Sequence, residues 1–325
     1  MGFQTLVRGS VSLPVPDLLV KGLHLGTLAL HLAVMTLFLG LTLLYTRELF
    51  LKEKREEDPP KLPVWMAFVI NTGVAPLLFS QALYADFIYT SSILMAGWWL
   101  GMLALLMVAY SLSYVATSPK RSQEARKMAS LALALLVLFV ASVLISNIYL
   151  MNHPHFWQRF AGNIHGWVFA TGGLYLAFKW GHVVVAAIFH ALLFRKIFSE
   201  KGEQRRDGHG GLFMGVLALS AVTGLGLFFL LFSGGLSLFW LPLASAGILS
   251  GMILLGRYRI AGIWAVINLL IMVGSSESSR HALIQPAIRV GSMDYGSVVM
   301  FAISLVVGMA MLVWMLKLPM KGGDA

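Results

Sequence analysis

Long apolar runs, separated by short segments of charged and turn residues, recur along almost the whole chain. Each crossing of a membrane's hydrocarbon core needs ~20 apolar residues, and a single run can satisfy its backbone there only as a helix. The pattern therefore predicts an all-α, polytopic transmembrane helical bundle of about nine spans. The runs lie near residues 18–46, 64–88, 93–117, 128–150, 160–198, 209–232, 237–255, 258–276 and 296–317.

Composition excludes a water-soluble fold. Hydrophobic residues make up 58% of the 325 residues and charged residues only 12%, whereas an average soluble domain is roughly 25% charged. The loops between the runs are too short to hold a separate soluble domain, so we expect residues 1–325 to form a single transmembrane domain. The net charge of +10 resides in these loops, which predicts contact with membrane lipid and no nucleic-acid binding.

The positions of Lys and Arg predict the orientation of the chain. These residues concentrate in the loops after the first, third, fifth and seventh runs and at the C-terminus. Positive charge in short loops marks the cytoplasmic side. We therefore expect an external N-terminus, a cytoplasmic C-terminus and multi-pass insertion in the inner, or cytoplasmic, membrane of a cell.

The fifth run, residues 160–198, is too long for one perpendicular crossing and carries Lys179 near its middle. A hairpin of two spans is one interpretation. It would export the basic segment that contains Arg195, Lys196 and Lys201, against the charge distribution. We therefore expect one long helix that protrudes on the cytoplasmic side.

Histidines are the residues in this chain best suited to chemistry, because the absence of cysteine excludes thiolate-held clusters and covalent haem attachment. His24 and His31 are seven residues apart in the first run, so both rings point into one seam of a helix. Ionisable side chains within hydrocarbon are costly and usually functional. The alternative is that each ring only satisfies a hydrogen bond inside the bundle.

A group of histidines and arginines near the outer ends of the spans predicts a haem site. A neutral imidazole nitrogen is a good axial ligand for haem iron, and arginine pairs with haem propionates. We predict that His31, His165 and His24 bind the iron of one or more haem b groups. His281, Arg280 and Arg289 are predicted to contact the same cofactor. His182 and His190 share one side of a helix only loosely, so they indicate a second cofactor only weakly.

The carboxylates argue against two classes of membrane protein. Every Asp and Glu lies at the end of a run or in a loop. Proton-driven transporters, and enzymes that reduce oxygen within the membrane, usually need ionisable relays at its centre. Glu277, Asp86 and His281 remain candidates to accept protons near the outer face.

Five short motifs along the chain carry a family resemblance: Lys21 to His31 to Gly40, Asn71 to Phe79, Tyr89 to Ser92, Ser146 to Met151, and Asn163 to Gly166. They resemble subunit I of cytochrome bd-type quinol oxidases, and in particular a divergent branch whose members tend to accompany multihaem c-type cytochromes. The resemblance implies that His31 is a haem ligand, that His165 binds a low-spin haem b, and that quinone is a partner.

The chain departs from the oxidase pattern at three places. The third run lacks a glutamate, and only Phe232 to Gly235 separate the sixth and seventh runs, where the oxidases carry a long quinol-binding loop. No methionine stands at the start of the seventh run, where Phe239 and Trp240 lie. The resemblance therefore implies haem b and quinone partnership rather than oxygen reduction.

The residues and the resemblance together predict a membrane b-type cytochrome subunit of a quinol-linked oxidoreductase complex. It would pass electrons between the quinone pool and an extracytoplasmic redox partner such as a c-type cytochrome. Three alternatives remain: a haem-free membrane anchor of a redox complex, a small-molecule permease, and a terminal oxidase subunit.

Overall fold

The computed structural model describes residues 11–13, 17–51, 60–160, 162, 165–170, 173–198, 210–232, 240–284, 288–290 and 295–317. Within these ranges the chain is helical apart from turns and one pair of three-residue strands. The helices are α1 Asp17–Leu51, α2 Leu62–Leu94, α3 Ala96–Thr117, α4 Gln123–Asn152, α5 Trp157–Phe160, α6 Gly173–Phe198, α7 Gly210–Phe232, α8 Trp240–Leu254, α9 Tyr258–Leu283 and α10 Tyr295–Lys317.

The prediction of an all-α, multi-pass membrane protein is confirmed. In the described part of the chain, six helices are long and apolar enough to cross a membrane: α1, α2, α3, α4, α6 and α9. α7 and α8 contribute shorter apolar stretches, Leu212–Leu227 and Trp240–Leu254. A helix of 15 residues spans only ~22 Å, less than the ~30 Å hydrocarbon core. The count of nine spans therefore stays a prediction.

The main core surrounds α1, which packs against α2, α4, α6 and α9. Contacts between side chains define two ends of the bundle. At the His24 end, α1 and α6 begin while α2, α4 and α9 finish, and a Tyr84–Glu277 hydrogen bond joins α2 to α9. At the opposite, Glu48 end, Glu48 of α1 pairs with Arg195 of α6. α1 and α6 therefore run parallel, side by side.

Close contact between α1 and α6 depends on small side chains. A Cβ added to Gly40 would lie 1.9 Å from the carbonyl oxygen of Ala187 and 2.8 Å from the Cβ of Ala191. Both alanines are fully buried. Since lipid tails are as apolar as a helix surface, helices in membranes associate largely through such close backbone packing.

The expectation of one long helix over residues 160–198 is wrong. α5 ends at Phe160 and α6 begins only at Gly173, and residues 165–170 are not helical. Gly166 and Gly173 have φ values of 65° and 60°, which break a right-handed helix. Gly97 N donates to the carbonyl of Gly166 at 2.9 Å, and Val168 N donates to that of Leu94 at 3.3 Å. Neighbouring helices therefore supply hydrogen-bond partners for backbone groups of this segment that would otherwise have been paired within a helix.

α2 departs from helical geometry near the His24 end. Pro63 lies in its first turn, a position where proline loses no hydrogen bond. Pro76 is accommodated inside the helix, whereas the non-helical backbone angles lie eight residues later, at Tyr84 (φ −123°, ψ 24°). The bend therefore lies at the residue that contacts α9.

Two short strands at the His24 end join the segment before α1 to the segment after α9. β1, Val11–Leu13, pairs in parallel with β2, Ile288–Val290, with Val11 opposite Ile288. β1 precedes α1 and β2 follows α9. The start of the first helix and the end of the ninth are therefore held side by side.

Candidate functional site

Three helices place polar side chains together at the His24 end, and we call Glu277, Arg280, Tyr84 and Asn152 the Glu277 network. Glu277 and Arg280 of α9 form an ion pair. The Tyr84 hydroxyl of α2 donates to Glu277 Oε2 at 2.8 Å, and Arg280 Nε donates to Asn152 Oδ1 of α4 at 3.2 Å. The guanidinium also lies 5.3 Å from the centre of the Tyr84 ring. Through this network, the buried charged side chains of α9 have interaction partners on two other helices, α2 and α4.

His24 of α1 completes this end of the bundle. Its ring is 1% exposed, and Nε2 lies 3.5 Å from Glu277 Oε1, longer than an ordinary hydrogen bond. Neither ring nitrogen has a hydrogen-bond partner among the described residues. A buried polar atom without a partner costs about 1–3 kcal/mol. His24 therefore retains unused hydrogen-bonding capacity beside a carboxylate.

Lys179 of α6 adds a second cation near the network. Its ammonium interacts electrostatically with Arg280 and Glu277 and lies 5.8 Å from the centre of the Tyr175 ring. Within the described ranges, no carboxylate comes within 4.0 Å of its Nζ. The side chain lies inside a membrane-spanning helix. A charge in this position is usually functional.

Three other histidines in the spans share one arrangement, in which Nδ1 meets a threonine hydroxyl on a neighbouring helix. His190 Nδ1 lies 3.1 Å from Thr36 Oγ1 and His182 Nδ1 lies 3.1 Å from Thr223 Oγ1. His31 Nδ1 lies 3.4 Å from Thr72 Oγ1, a weaker contact. We call these the threonine-held histidines.

The hydrogen bonds of the threonines favour one tautomer of these rings. Each hydroxyl can donate its hydrogen to a carbonyl four residues earlier in its own helix, at 2.7 to 2.9 Å. A hydroxyl has one hydrogen, so while that hydrogen is donated to the carbonyl, the oxygen can only accept from the histidine. This geometry favours the tautomer with the hydrogen on Nδ1, which in the neutral ring leaves the lone pair on Nε2. This is the arrangement that orients metal-bound histidines.

The structure brings together only part of the predicted cofactor site. His24 and Arg280 meet through Glu277, while His31 faces Thr72 and Gly73 of α2. His165 lies in an exposed turn between α5 and α6 rather than in a span. The side chains of His281 and Arg289 lie outside the described residues. The part of the chain that the structure describes holds no group of three His, Cys, Asp or Glu able to bind a metal ion.

A haem differs from a bare metal ion in needing only one or two axial side chains. The assignment of His31, His165 and His24 as iron ligands therefore stays a prediction. The threonine-held rings fit such a role by the chemistry of their nitrogens. His24 fits through its buried Nδ1, which has no hydrogen-bond partner among the described residues, while its Nε2 faces Glu277.

Sequence reasoning missed several of these residues. Tyr84 gave no signal, because a tyrosine near the end of an apolar run is common at membrane interfaces. Lys179 is recognisable in the sequence as a charge inside the fifth run, but there it bears only on whether that run forms one span or two. The pairing of histidines with Thr36, Thr72 and Thr223 depends on which helices are neighbours, which the sequence does not state.

His153 follows α4 at the His24 end and offers a test of this packing. Its Nδ1 lies 2.9 Å from the Tyr149 carbonyl, and its ring stacks on Tyr149 with centres 4.2 Å apart. Burial holds the pKa of His153 below its ordinary value of 6.5, and the hydrogen bond to Tyr149 opposes this only in part.

We expect the His153 resonance in a pH titration of ¹³C-histidine-labelled protein to have its midpoint below 6.5. The unfolded chain binds this proton more readily, so the contribution of His153 to stability is full above 6.5 and is lost as pH falls through the lower, folded value. His153→Gln assigns the resonance. A midpoint at or above 6.5 would show that the ring is not packed as described.

Comparisons of this chain with protein-family models, with curated proteins and with solved structures each give no match.

Proposed function

We propose that this chain is a b-type cytochrome subunit of the cytoplasmic membrane, which carries electrons between the quinone pool and an extracytoplasmic redox partner such as a c-type cytochrome. The observation that carries the proposal is the contact between Nδ1 of each threonine-held histidine and a threonine hydroxyl. His31 is the predicted iron ligand, and His182 and His190 have the same arrangement. Each offers an Nε2 lone pair inside the bundle.

Neighbouring side chains of this protein orient these nitrogens for binding to a metal. The threonine oxygen that accepts from Nδ1 orients the ring and makes Nε2 more basic. Bound haem would supply a one-electron carrier whose potential depends on its axial ligands and their hydrogen bonds.

The proposed orientation follows the basic residues. Arg126, Lys127 and Arg195 lie at the Glu48 end, which we assign to the cytoplasm. The His24 end then lies outside, as does the N-terminus, and nine spans place the C-terminus inside. Quinone partnership, and membership of the divergent bd-like branch, are supported by the sequence motifs alone.

A reduced-minus-oxidised absorption spectrum of the purified protein, together with haem extraction, tests the proposal. We expect a b-type band in the wild type and its loss in at least one of His31→Ala, His182→Ala and His190→Ala. The matched control is His155→Ala, whose side chain is exposed at a loop and should leave the band unchanged. Thr36→Val should weaken haem binding ~10-fold or more if His190 is a ligand, because outer partners orient the ring.

The result that contradicts the proposal is the absence of any b-type band when haem is supplied during expression. A haem-free anchor would give that result, and its partner complex would assemble equally well with all three histidine variants.

A further inference from the structure

We propose that Lys179, together with Arg280, binds the propionate carboxylates of the haem. The inference rests on the proposed function and extends it, because it names the residues that recognise the acidic edge of the cofactor. Arg280 was a candidate from the sequence. Lys179 comes from the structure.

The charges at this site leave an excess of positive charge. Lys179 and Arg280 are both cations, and Glu277 is the carboxylate that interacts with both. Arg280 is already paired with Glu277 and hydrogen-bonded to Asn152. Lys179 has no carboxylate in ion-pair contact among the described residues. One carboxylate shared by two cations leaves the site with a net positive charge, which is costly within a membrane, so a carboxylate from a ligand would supply the missing negative charge.

The ammonium lies over one member of a group of aromatic rings. Lys179 Nζ lies over the Tyr175 ring, and the centre of that ring is 6.3 Å from the centre of Tyr149. Tyr149 in turn stacks on His153 and lies 6.0 Å from Phe156. Cations beside a group of aromatic rings suit a flat, apolar ligand with acidic groups at one edge. A porphyrin with two propionates has this chemistry.

Lys179 also lies close to a threonine-held histidine along the same helix. It is three residues before His182 on α6. Residues at this spacing are neighbours on one helix surface, with Cβ atoms about 5–6 Å apart. The two side chains therefore lie on the same side of α6, and the proposal places one ligand against both.

An anionic lipid presents similar chemistry, because its phosphate also pairs with ammonium and guanidinium groups. A long lysine side chain can also extend toward headgroups at the membrane surface. The surroundings of Lys179 favour the haem, since its ammonium lies over the Tyr175 ring and interacts electrostatically with Glu277 and Arg280. The experiment therefore tests binding of haem and binding of anionic lipid separately.

The experiment reconstitutes haem-depleted full-length protein in nanodiscs with either haem b or its dimethyl ester, in which both propionates are neutral. We expect wild-type protein to bind the free acid at least ~10-fold more tightly, the factor for one charge-assisted hydrogen bond. Lys179→Met should reduce this preference to less than ~3-fold, while Lys179→Arg, which retains the charge, should keep it. Lys120→Met, an exposed lysine at the other end of the bundle, is the matched control and should behave as wild type.

The second arm measures phosphatidylglycerol retained by the same proteins in native mass spectrometry. Equal binding of acid and ester by wild-type protein overturns the propionate assignment, and loss of bound phosphatidylglycerol in Lys179→Met would then assign the lysine to lipid. Haem binding with no acid preference leaves the proposed function standing. Failure of wild-type protein to bind either form overturns both.

Discussion

Gly40→Ala is expected to lower the free energy of unfolding by about 3 kcal/mol or more, at the upper end of the cost of overpacking. The added Cβ would lie 1.9 Å from the Ala187 oxygen and 2.5 Å from the carbonyl carbon. Backbone atoms cannot turn aside as a flexible side chain can, so α1 and α6 would have to separate. Thermal unfolding of the detergent-purified protein, followed by circular dichroism, measures the effect.

The matched control is Gly26→Ala in the same helix. A Cβ there meets nothing within 4 Å, and alanine favours a helix over glycine by up to ~1 kcal/mol. Gly26→Ala should therefore match or exceed the stability of the wild type. Equal unfolding temperatures for the two variants would contradict the described contact between α1 and α6.

Glu277→Gln should destabilise the protein by about 3–5 kcal/mol, the usual cost of leaving a buried charge without its partner. Arg280 is only 6% exposed and would keep its charge while losing the carboxylate. Tyr84 would also lose a hydrogen bond to an ionised acceptor. The measurement is again the unfolding midpoint in detergent.

Two further variants test the cause of this effect. Glu124→Gln removes a carboxylate whose side chain is 77% exposed and which pairs with Lys127, so we expect a change below ~1 kcal/mol. Glu277→Gln combined with Arg280→Gln should recover part of the loss, because the second change removes the unpaired charge. No recovery in the double variant would show that Glu277 acts through packing and not through charge.

Much of the architecture follows from the sequence, because the length and spacing of apolar runs determine where membrane helices form. The runs that contain His31, Met102 and Leu138 each became a helix close to the predicted range. The run around His165 did not, because Gly166 and Gly173 adopt positive φ and the segment between them packs against α2, α3 and α4. Hydropathy does not distinguish such a packed, irregular segment from a helix.

The candidate site was predictable only in part. The seven-residue spacing of His24 and His31 indicated one side of α1, but the two rings meet different partners, Glu277 of α9 and Thr72 of α2. These helices are apolar on nearly all sides, so periodicity does not indicate which face meets which neighbour. Close contacts at small residues such as Gly40 and Gly73 decide that, and they become readable only in three dimensions.

The proposed role of the threonine-held histidines is tested most directly by a cryo-electron-microscopy density map of the purified protein. Our proposal predicts porphyrin-shaped density against the Nε2 atom of His31, His182 or His190, with a threonine oxygen still accepting from Nδ1 of the same ring. A map in which all three rings contact only protein and lipid would contradict it.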